Sequence, residues 1–106
     1  MSFHLTAESL RLEENHILVA QLRNVDGELV DSSIDLNTVI GNVDGRLEWG
    51  GQNFSESAQE VQFGIESENE VPILRALLKK TDEELSAADV NLSERIVNEN
   101  GAFVFV

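Results

Sequence analysis

The sequence predicts an all-β domain made of two tandem copies of one unit, and two observations lead to this prediction. Between residues 33 and 54, the turn sequence Asn42-Val43-Asp44-Gly45 separates two apolar segments, and Asp-Gly tolerates the positive φ angles of a tight turn. The pattern returns 56 positions later, with Leu36, Ile40, Asn42 and Gly45 recurring as Leu92, Ile96, Asn98 and Gly101. A unit of this size is too small for a stable β domain, so we expect the two copies to share one core.

The first copy is predicted to be a series of short strands joined by turns. Strands are expected over residues 3–12 and 16–23, where apolar side chains are interleaved with polar ones. Asp26-Gly27 predicts a turn after the second of these strands. The segments Ile34–Ile40 and Leu47–Trp49 then flank the central turn as two further strands.

The second copy contains one segment whose local sequence disagrees with the repeat. Residues 72–85, taken alone, predict an amphipathic helix with proline in its first turn. The equivalent residues 16–29 are β-branched and interrupted by Asp-Gly, which indicates a strand and a turn. Two copies of one unit should fold alike, so we predict a strand here, and only short helical turns after Asn37 and Ser93.

Composition narrows the range of functions. Twenty acidic and seven basic residues give a net charge of −13, which is the wrong sign for binding nucleic acid or an anionic membrane surface. The chain has no cysteine, and His4 and His16 have no acidic partner at a metal-ligand spacing, so neither thiol chemistry nor a metal or other cofactor is expected.

The central block resembles the signature of the cyanovirin-N homology family of mannose-binding lectins, in a fungal-type, cysteine-free form. The matching residues are S-S-I-D-L-N-x-V-I-x-N-V-D-G-x-L-x-W-x-x-x-N-F, and the two-copy layout extends the resemblance over the whole chain. The resemblance implies a single pseudo-symmetric, bilobal domain with strands exchanged between the copies. One lobe would comprise about residues 39–95, and the other roughly 1–38 together with 96–106.

The resemblance also implies that each lobe binds terminal α(1→2)-linked mannose without a metal. A neutral sugar presents many hydroxyl groups, so it is recognised by clustered polar side chains and backbone groups on a rigid turn. In the lobe at mid-chain the residues at the family's site positions are Gly41, Asn42, Asp44, Gln52, Asn53, Glu56, Ser57, Lys79, Thr81 and Glu83. Two of them depart from the pattern that the resemblance implies: Gly41 stands where an acidic side chain can contribute, and Thr81 where a basic one can.

The other lobe matches the family's site less well. Its equivalent residues are Ser2, Leu5, Thr6, Arg23, Val25, Asn98 and Asn100. Leu5 stands where the mid-chain lobe has Glu56, and Val25 where it has Thr81, so two hydrogen-bonding groups are lost. Each loss would leave a sugar hydroxyl desolvated and unpaired, at a cost of about 1–3 kcal/mol. We therefore predict that the mid-chain lobe is the principal site and that the other is weak or silent.

Two departures from the family pattern concern covalent and quaternary structure. Family members can carry a disulfide in each lobe, and the corresponding pairs here are Ala7/Leu22 and Ala58/Leu78. Some members exchange lobes between chains through a proline-containing hinge, whereas this chain has the flexible pair Gly50-Gly51, which predicts a monomer. With no cysteine and no secretory signal in the given sequence we expect a cytoplasmic protein, with non-classical export as an alternative.

Two other classes of function stay open at this point. The many carboxylates leave a glycosidase-like pair open as an alternative, but shallow repeated turns rather than one deep cleft favour binding over catalysis. An acidic protein-interaction module could keep the lectin fold without binding mannose. From spacing alone, Asn42 and Asp44 could be purely structural turn residues, and Trp49 is expected in the core rather than under a sugar ring.

Overall fold

A computed structural model describes residues 7–66 and 71–106 and confirms the all-β prediction. The described strands are β1 (Ala7–Glu13), β2 (Ile17–Arg23), β3 (Leu29–Asp35), β4 (Ile40–Val43), β5 (Arg46–Trp49), β6 (Ala58–Glu66), β7 (Val71–Lys79), β8 (Leu85–Asn91), β9 (Ile96–Glu99) and β10 (Ala102–Phe105). Single-turn 3-10 helices lie at Leu36–Thr38, Phe54–Ser57 and Leu92–Glu94. None of the helices in these residues is long and apolar enough to cross a membrane.

The strands form two antiparallel three-stranded sheets, β1-β2-β3 and β6-β7-β8, and two hairpins, β4-β5 and β9-β10. From β3 onward, the elements of the two copies have equivalent bounds 56 positions apart. Both hairpins turn on two residues with positive φ, Asp44-Gly45 and Asn100-Gly101, as the tight turns of twisted hairpins require. The sequence repeat is therefore also a structural repeat.

The disputed segment at 72–85 is a strand, as the repeat predicted. Along β7 the buried side chains are Pro72, Leu74, Ala76 and Leu78, which is the two-residue period of a strand with one face in the core. Pro72 lies at the second residue of the strand, where a missing N–H disturbs the sheet least. Pairing with β6 and β8 on either side outweighs the helix propensity of the segment.

The two hairpins are exchanged between the copies. β4-β5 follows the first sheet in the chain but docks on the second, where Thr81 N–H donates to Asp44 Oδ1 over 3.0 Å. β9-β10 follows the second sheet and docks on the first, where Phe103 N–H donates to Ser32 Oγ over 3.1 Å. We call β4 to β8 the mid-chain lobe and β1 to β3 with β9 and β10 the terminal lobe. The expected lobe boundaries near 38/39 and 95/96 stay a prediction.

One hydrophobic core runs through both lobes. Its fully buried members come from both copies and include Leu18, Leu22, Leu36, Ile40, Phe54, Leu74, Leu92 and Ile96. The equivalent residues Trp49 and Phe105 stack on each other with ring centroids 5.8 Å apart. Ala7 pairs with Leu22 and Ala58 with Leu78 across adjacent strands, so a small and a large apolar side chain face each other at each position.

Candidate functional site

Three segments of the mid-chain lobe meet: the turn at 41–44, the stretch 52–57 and the loop 79–83. Side-chain hydrogen bonds join the turn to each of the other two segments. Asn42 Nδ2 donates to Ser57 Oγ and to the Lys79 carbonyl, both over 2.8 Å. The structure therefore brings together the three groups of residues that the sequence assigned to the main site.

Gly41 takes part through its backbone only. It is buried and forms an isolated β-bridge with Asn53. A Cβ atom added at Gly41 would lie 2.8 Å from the Gln52 nitrogen and 3.0 Å from the Gly51 Cα, so two backbone segments touch where a side chain would be. This position has no room for a side chain, so Gly41 can contribute to a site only through its backbone.

Asn42 has all of its side-chain hydrogen-bonding groups engaged inside the chain. Besides its two donated bonds, its Oδ1 accepts from Gly45 N–H over 2.8 Å. One amide thus ties the turn, the 3-10 helix at Phe54–Ser57 and the end of β7 together. Its observed role is to hold the site in shape, and direct sugar contact by this side chain stays a prediction.

Asp44 faces the loop after β7 and keeps one oxygen available. Its Oδ1 accepts from both the backbone N–H and the hydroxyl of Thr81, each over 3.0 Å. The backbone hydrogen bond from Thr81, followed by the one from its side chain, lowers the pKa of the Asp44 carboxyl below its ordinary value. Both bonds end on the same oxygen, so Oδ2 can accept from a ligand hydroxyl.

Gln52, Asn53 and Glu56 are exposed beside this turn. Asn53 precedes the 3-10 helix in the left-handed region, at φ +61°, and its side chain makes no capping hydrogen bond. The neighbouring Phe54 is fully buried and anchors the stretch in the core. Three exposed polar side chains are thereby presented on a segment whose position is fixed.

Asn37 was not among the predicted site residues, yet it positions this stretch. Its carbonyl accepts from Asn53 N–H over 2.8 Å, its Oδ1 accepts from Ser55 N–H over 3.1 Å, and its Nδ2 donates to Ser55 Oγ over 2.7 Å. The second copy has Ser93 at the equivalent position, and its hydroxyl donates instead to Asn91 Oδ1 over 2.7 Å. That difference between the copies was the available sequence signal.

Lys79 and Glu83 form the rim of the site. Lys79 Nζ lies 3.6 Å from Glu83 Oε1, and both side chains are largely exposed. Glu83 adopts φ +70°, a conformation that non-glycine residues seldom take. The first copy places Gly27 at the equivalent position, with φ +81°.

In the terminal lobe the described candidates reproduce only part of this arrangement. Asn98 Nδ2 donates to the Arg23 carbonyl over 2.9 Å, which parallels Asn42 and Lys79. Asn100 Oδ1 accepts from Val25 N–H over 3.0 Å, but Val25 has no hydroxyl to add a second bond. The Arg23 guanidinium donates to the Gly27 carbonyl over 2.8 Å. Ser2, Leu5 and Thr6 lie outside the described residues.

Within residues 7–66 and 71–106, no group of three or more histidine, cysteine or acidic side chains could hold a metal ion. Of the two histidines, His16 pairs with Asp35, with Nδ1 and Oδ1 2.8 Å apart, and His4 lies outside these ranges. The site described above consists of neutral amides, hydroxyls, carboxylates and one ammonium group. This donor set suits a polyhydroxylated neutral ligand.

An all-β domain of two lobes that exchange hairpins, with a polar site on a rigid turn, is the architecture of a small lectin. Residues 3–104 match the CVNH domain family, and the chain belongs to this lectin family. A cyanovirin-N homolog of Neurospora crassa is 49% identical, over 97% of this chain and 96% of its own length. The solution structure of the Gibberella zeae homolog superposes with a TM-score of 0.92 at 45% identity, covering 97% of this chain and 95% of that one. Family membership argues for a binding protein rather than an enzyme.

Two structures of similar fold hold sugars. A microvirin:mannobiose complex superposes with a TM-score of 0.88 at 26% identity, covering 99% of this chain and 98% of that chain. A variant of MoCVNH3 in complex with (N-GlcNAc)4 superposes with a TM-score of 0.85 at 20% identity, covering 98% and 96%. At 20% identity, the MoCVNH3 variant shows only that the two chains have the same fold.

Proposed function

We propose that this protein is a lectin for terminal α(1→2)-linked mannose of high-mannose glycans, and that it binds through the mid-chain lobe. The observation that carries the proposal is the pair of hydrogen bonds from Thr81 to one oxygen of Asp44. This pair locks the turn against the facing loop and leaves Asp44 Oδ2 beside three exposed polar side chains. The mannobiose bound by microvirin supports this choice of sugar.

The terminal lobe contributes a weak site or none under this proposal. Val25 replaces Thr81 at the equivalent position and is 81% exposed, so an apolar side chain stands where the mid-chain lobe offers a hydroxyl. A sugar hydroxyl placed against it would lose its hydrogen bonds to water without a replacement. We expect one effective site per chain and therefore little gain from bivalent binding to a branched glycan.

An amide-resolved NMR titration with α(1→2)-mannobiose tests the proposal. We expect shifts confined to residues 41–44, 52–57 and 79–83. Equal shifts around Arg23 and Asn98 would show that the terminal lobe binds as well. Absence of any shift at millimolar sugar would overturn the proposal, and a salt-sensitive response to a basic protein would then favour the acidic interaction module, whose charge of −13 suits such a partner.

A matched pair of variants sharpens this test, because each copies a residue of the other lobe. Thr81→Val removes the hydroxyl bond to Asp44 but keeps the backbone bond, and we expect about tenfold weaker mannobiose binding. Val25→Thr makes the opposite exchange in the terminal lobe and should leave the mid-chain affinity unchanged. Equal affinities for Thr81→Val and the wild type would show that the Thr81 hydroxyl takes no part in binding.

A further inference from the structure

The 3-10 helix at Leu36–Thr38 lies outside the predicted sugar site, yet it is bonded to the stretch 52–57, which forms one part of that site. The helix ends the first copy, directly after β3, and Leu36 is fully buried in the shared core. From this helix Asn37 makes three hydrogen bonds to Asn53 and Ser55, two of them through its side chain. Asn37 therefore ties the stretch to a turn that the core holds in place.

The helix itself does not need asparagine at this position. In the second copy the equivalent helix has Ser93 in place of Asn37. The N-cap residues Asp35 and Asn91 have the same backbone conformation, with φ −82° in both and ψ of 108° and 110°. Each N-cap side chain accepts from the N–H two residues later, and the C-cap residues have φ of −130° and −131°. Serine supports the same turn, so the Asn37 amide is not required to form it.

The two copies differ in what the side chain at this position binds. Ser93 Oγ donates to Asn91 Oδ1, which lies within the same turn. The longer Asn37 amide leaves its turn and binds both the N–H and the hydroxyl of Ser55. We call these two side-chain bonds the Asn37 clamp. The amide at this position serves the stretch 52–57 rather than the helix that carries it.

The stretch held by the clamp contains a residue in an uncommon backbone conformation. Asn53 has φ +61° and ψ +35°, in the left-handed region that residues other than glycine seldom take. Its side chain is exposed and does not cap the 3-10 helix that follows, so this conformation gains no capping bond. Backbone of this kind persists where neighbouring contacts fix it, and it is concentrated at ligand sites. Here the Asn37 carbonyl binds the Asn53 N–H, and the clamp fixes the chain two residues later.

We propose that Asn37 is a positioning residue of the mannose site, which sets the affinity by holding residues 52–57 in their binding conformation before sugar binds. The inference rests on the proposed function. A stretch that is ordered in advance loses less conformational freedom on binding, so more of the interaction energy appears as affinity. The site of the mid-chain lobe is then controlled from the last turn of the first copy. Because Ser93 uses its hydroxyl within its own turn, the terminal lobe has a second disadvantage that is independent of Val25.

The test replaces Asn37 by the residue that the other copy uses. Asn37→Ser removes both bonds of the clamp, keeps the backbone bond to Asn53, and places serine in a turn that already accepts it. Thr38→Ala is the matched control. It removes one hydrogen bond of the same helix, from Thr38 Oγ1 to the Asp35 carbonyl over 2.7 Å, and leaves the clamp in place. Calorimetry measures the affinity for α(1→2)-mannobiose, urea denaturation measures stability, and NMR measures amide exchange in the free protein.

We expect Asn37→Ser to bind mannobiose about fivefold to tenfold more weakly than the wild type, because two hydrogen bonds that order the site are lost. In the free variant the amides of residues 53–57 should exchange faster, while those of the core strand β7 keep their wild-type rates. Thr38→Ala should keep the wild-type affinity and exchange rates, even where it lowers stability. If Asn37 served stability alone, both variants would be less stable and neither would change in affinity.

A double-mutant cycle with Ser55→Ala assigns the effect to the clamp. Ser55 is not a predicted site residue, and this substitution removes the hydroxyl that Asn37 Nδ2 binds. If the clamp is the cause, the double variant should bind mannobiose no more weakly than Asn37→Ser alone. Additive losses of affinity would show that the two side chains act separately and would overturn the inference.

Failure of the proposed function has a different signature. If mannobiose shifts no amide of the wild-type protein, the proposed function falls and this inference falls with it. If the wild type binds and Asn37→Ser binds equally well, the proposed function stands and the positioning role is refuted. A loss of affinity without faster exchange in residues 53–57 would also refute it, because the stretch would then be ordered without the clamp.

Discussion

Gly27 and Glu83 occupy equivalent positions in the two copies and share one left-handed backbone conformation, with φ of +81° and +70°. The first copy meets this requirement with glycine, for which the conformation carries no steric cost, and the second meets it with a glutamate on the rim of the candidate site. Strain of this kind is retained where the side chain is needed.

Replacing Glu83 by glycine should separate stability from binding. We expect Glu83→Gly to raise the free energy of unfolding by about 1 kcal/mol, because the left-handed strain is relieved, and to weaken mannobiose binding. Urea denaturation and calorimetry measure the two effects. As a control, Gly27→Glu should lower stability by a similar amount. No neighbouring atom lies within 4 Å of an added Cβ there, so the left-handed backbone strain is the only cost and no clash adds to it. A stability loss in Glu83→Gly would contradict this account.

Acid should weaken the link between the turn and its facing loop. The pKa of Asp44 is lowered in the folded protein by the hydrogen bonds from Thr81, so its charge stabilises the fold above the ordinary carboxyl value of 3.8. That contribution is lost as the pH falls below this value toward the folded pKa. Asp44→Asn, which copies Asn100, cannot become protonated at this position. Its free energy of unfolding should therefore fall less than that of the wild type as the pH is lowered from 4.

The measurement is urea denaturation of both proteins over a series of acidic pH values. Glu66→Gln provides a comparison, because hydrogen bonding to Arg75 also lowers the pKa of Glu66. This variant should likewise lose less stability in acid than the wild type. Parallel curves for Asp44→Asn and the wild type would show that the Thr81 bonds do not favour the charged carboxylate.

Gly41 should tolerate no side chain. A Cβ atom there would meet the backbone at 2.8 and 3.0 Å, and neither the Gln52 nitrogen nor the Gly51 Cα can rotate away as a side-chain tip could. We expect Gly41→Ala to lower the free energy of unfolding by about 1–3 kcal/mol and to displace residues 52–57. Gly64→Ala is the matched control, since the nearest atom to its added Cβ is a side-chain oxygen 3.9 Å away. Equal stability of the two variants would refute the close contact.

Trp49 should be replaceable by phenylalanine. Its Nε1 is buried with no hydrogen-bond partner among the described residues, and its equivalent Phe105 already fills the matching position on the other side of the stack. The lost contact area is offset by removal of a desolvated N–H, so we expect Trp49→Phe to change stability by less than about 1 kcal/mol. Phe105→Ala, which empties its side of the stack, should cost about 3–5 kcal/mol. A loss in Trp49→Phe approaching that of Phe105→Ala would contradict the unpaired N–H.

The fold was predictable because the repeat supplied information that local propensity lacks. Residues 72–85 have a helical pattern by themselves, and only their equivalence to residues 16–29 indicated a strand. The bulges in β1 and β6 were not predicted, because the residues with positive φ there, Ser9 and Glu60, carry no turn signature. Their positions depend on how the strands pair, which a single-residue preference does not encode.

For the candidate site, the sequence identified which segments meet but not how each residue is used. Asn42 and Gly41 were chosen for binding, and the structure shows one with its amide engaged inside the chain and the other with no room for a side chain. Asn37 escaped notice because it matches no site position, although it secures the stretch that presents Asn53. Such roles depend on contacts between segments distant in sequence.

The exchange of hairpins also bears on how such a chain can arise. Each sheet is completed by a hairpin that belongs to the other copy. The second copy alone would therefore leave the docking surface for β4-β5 empty, and its own hairpin β9-β10 would lack the first sheet on which it docks. Two such half-length chains would satisfy each other only as a symmetric pair. Joining two half-length chains into one polypeptide would make such an association permanent, and would leave each copy free to change its own site.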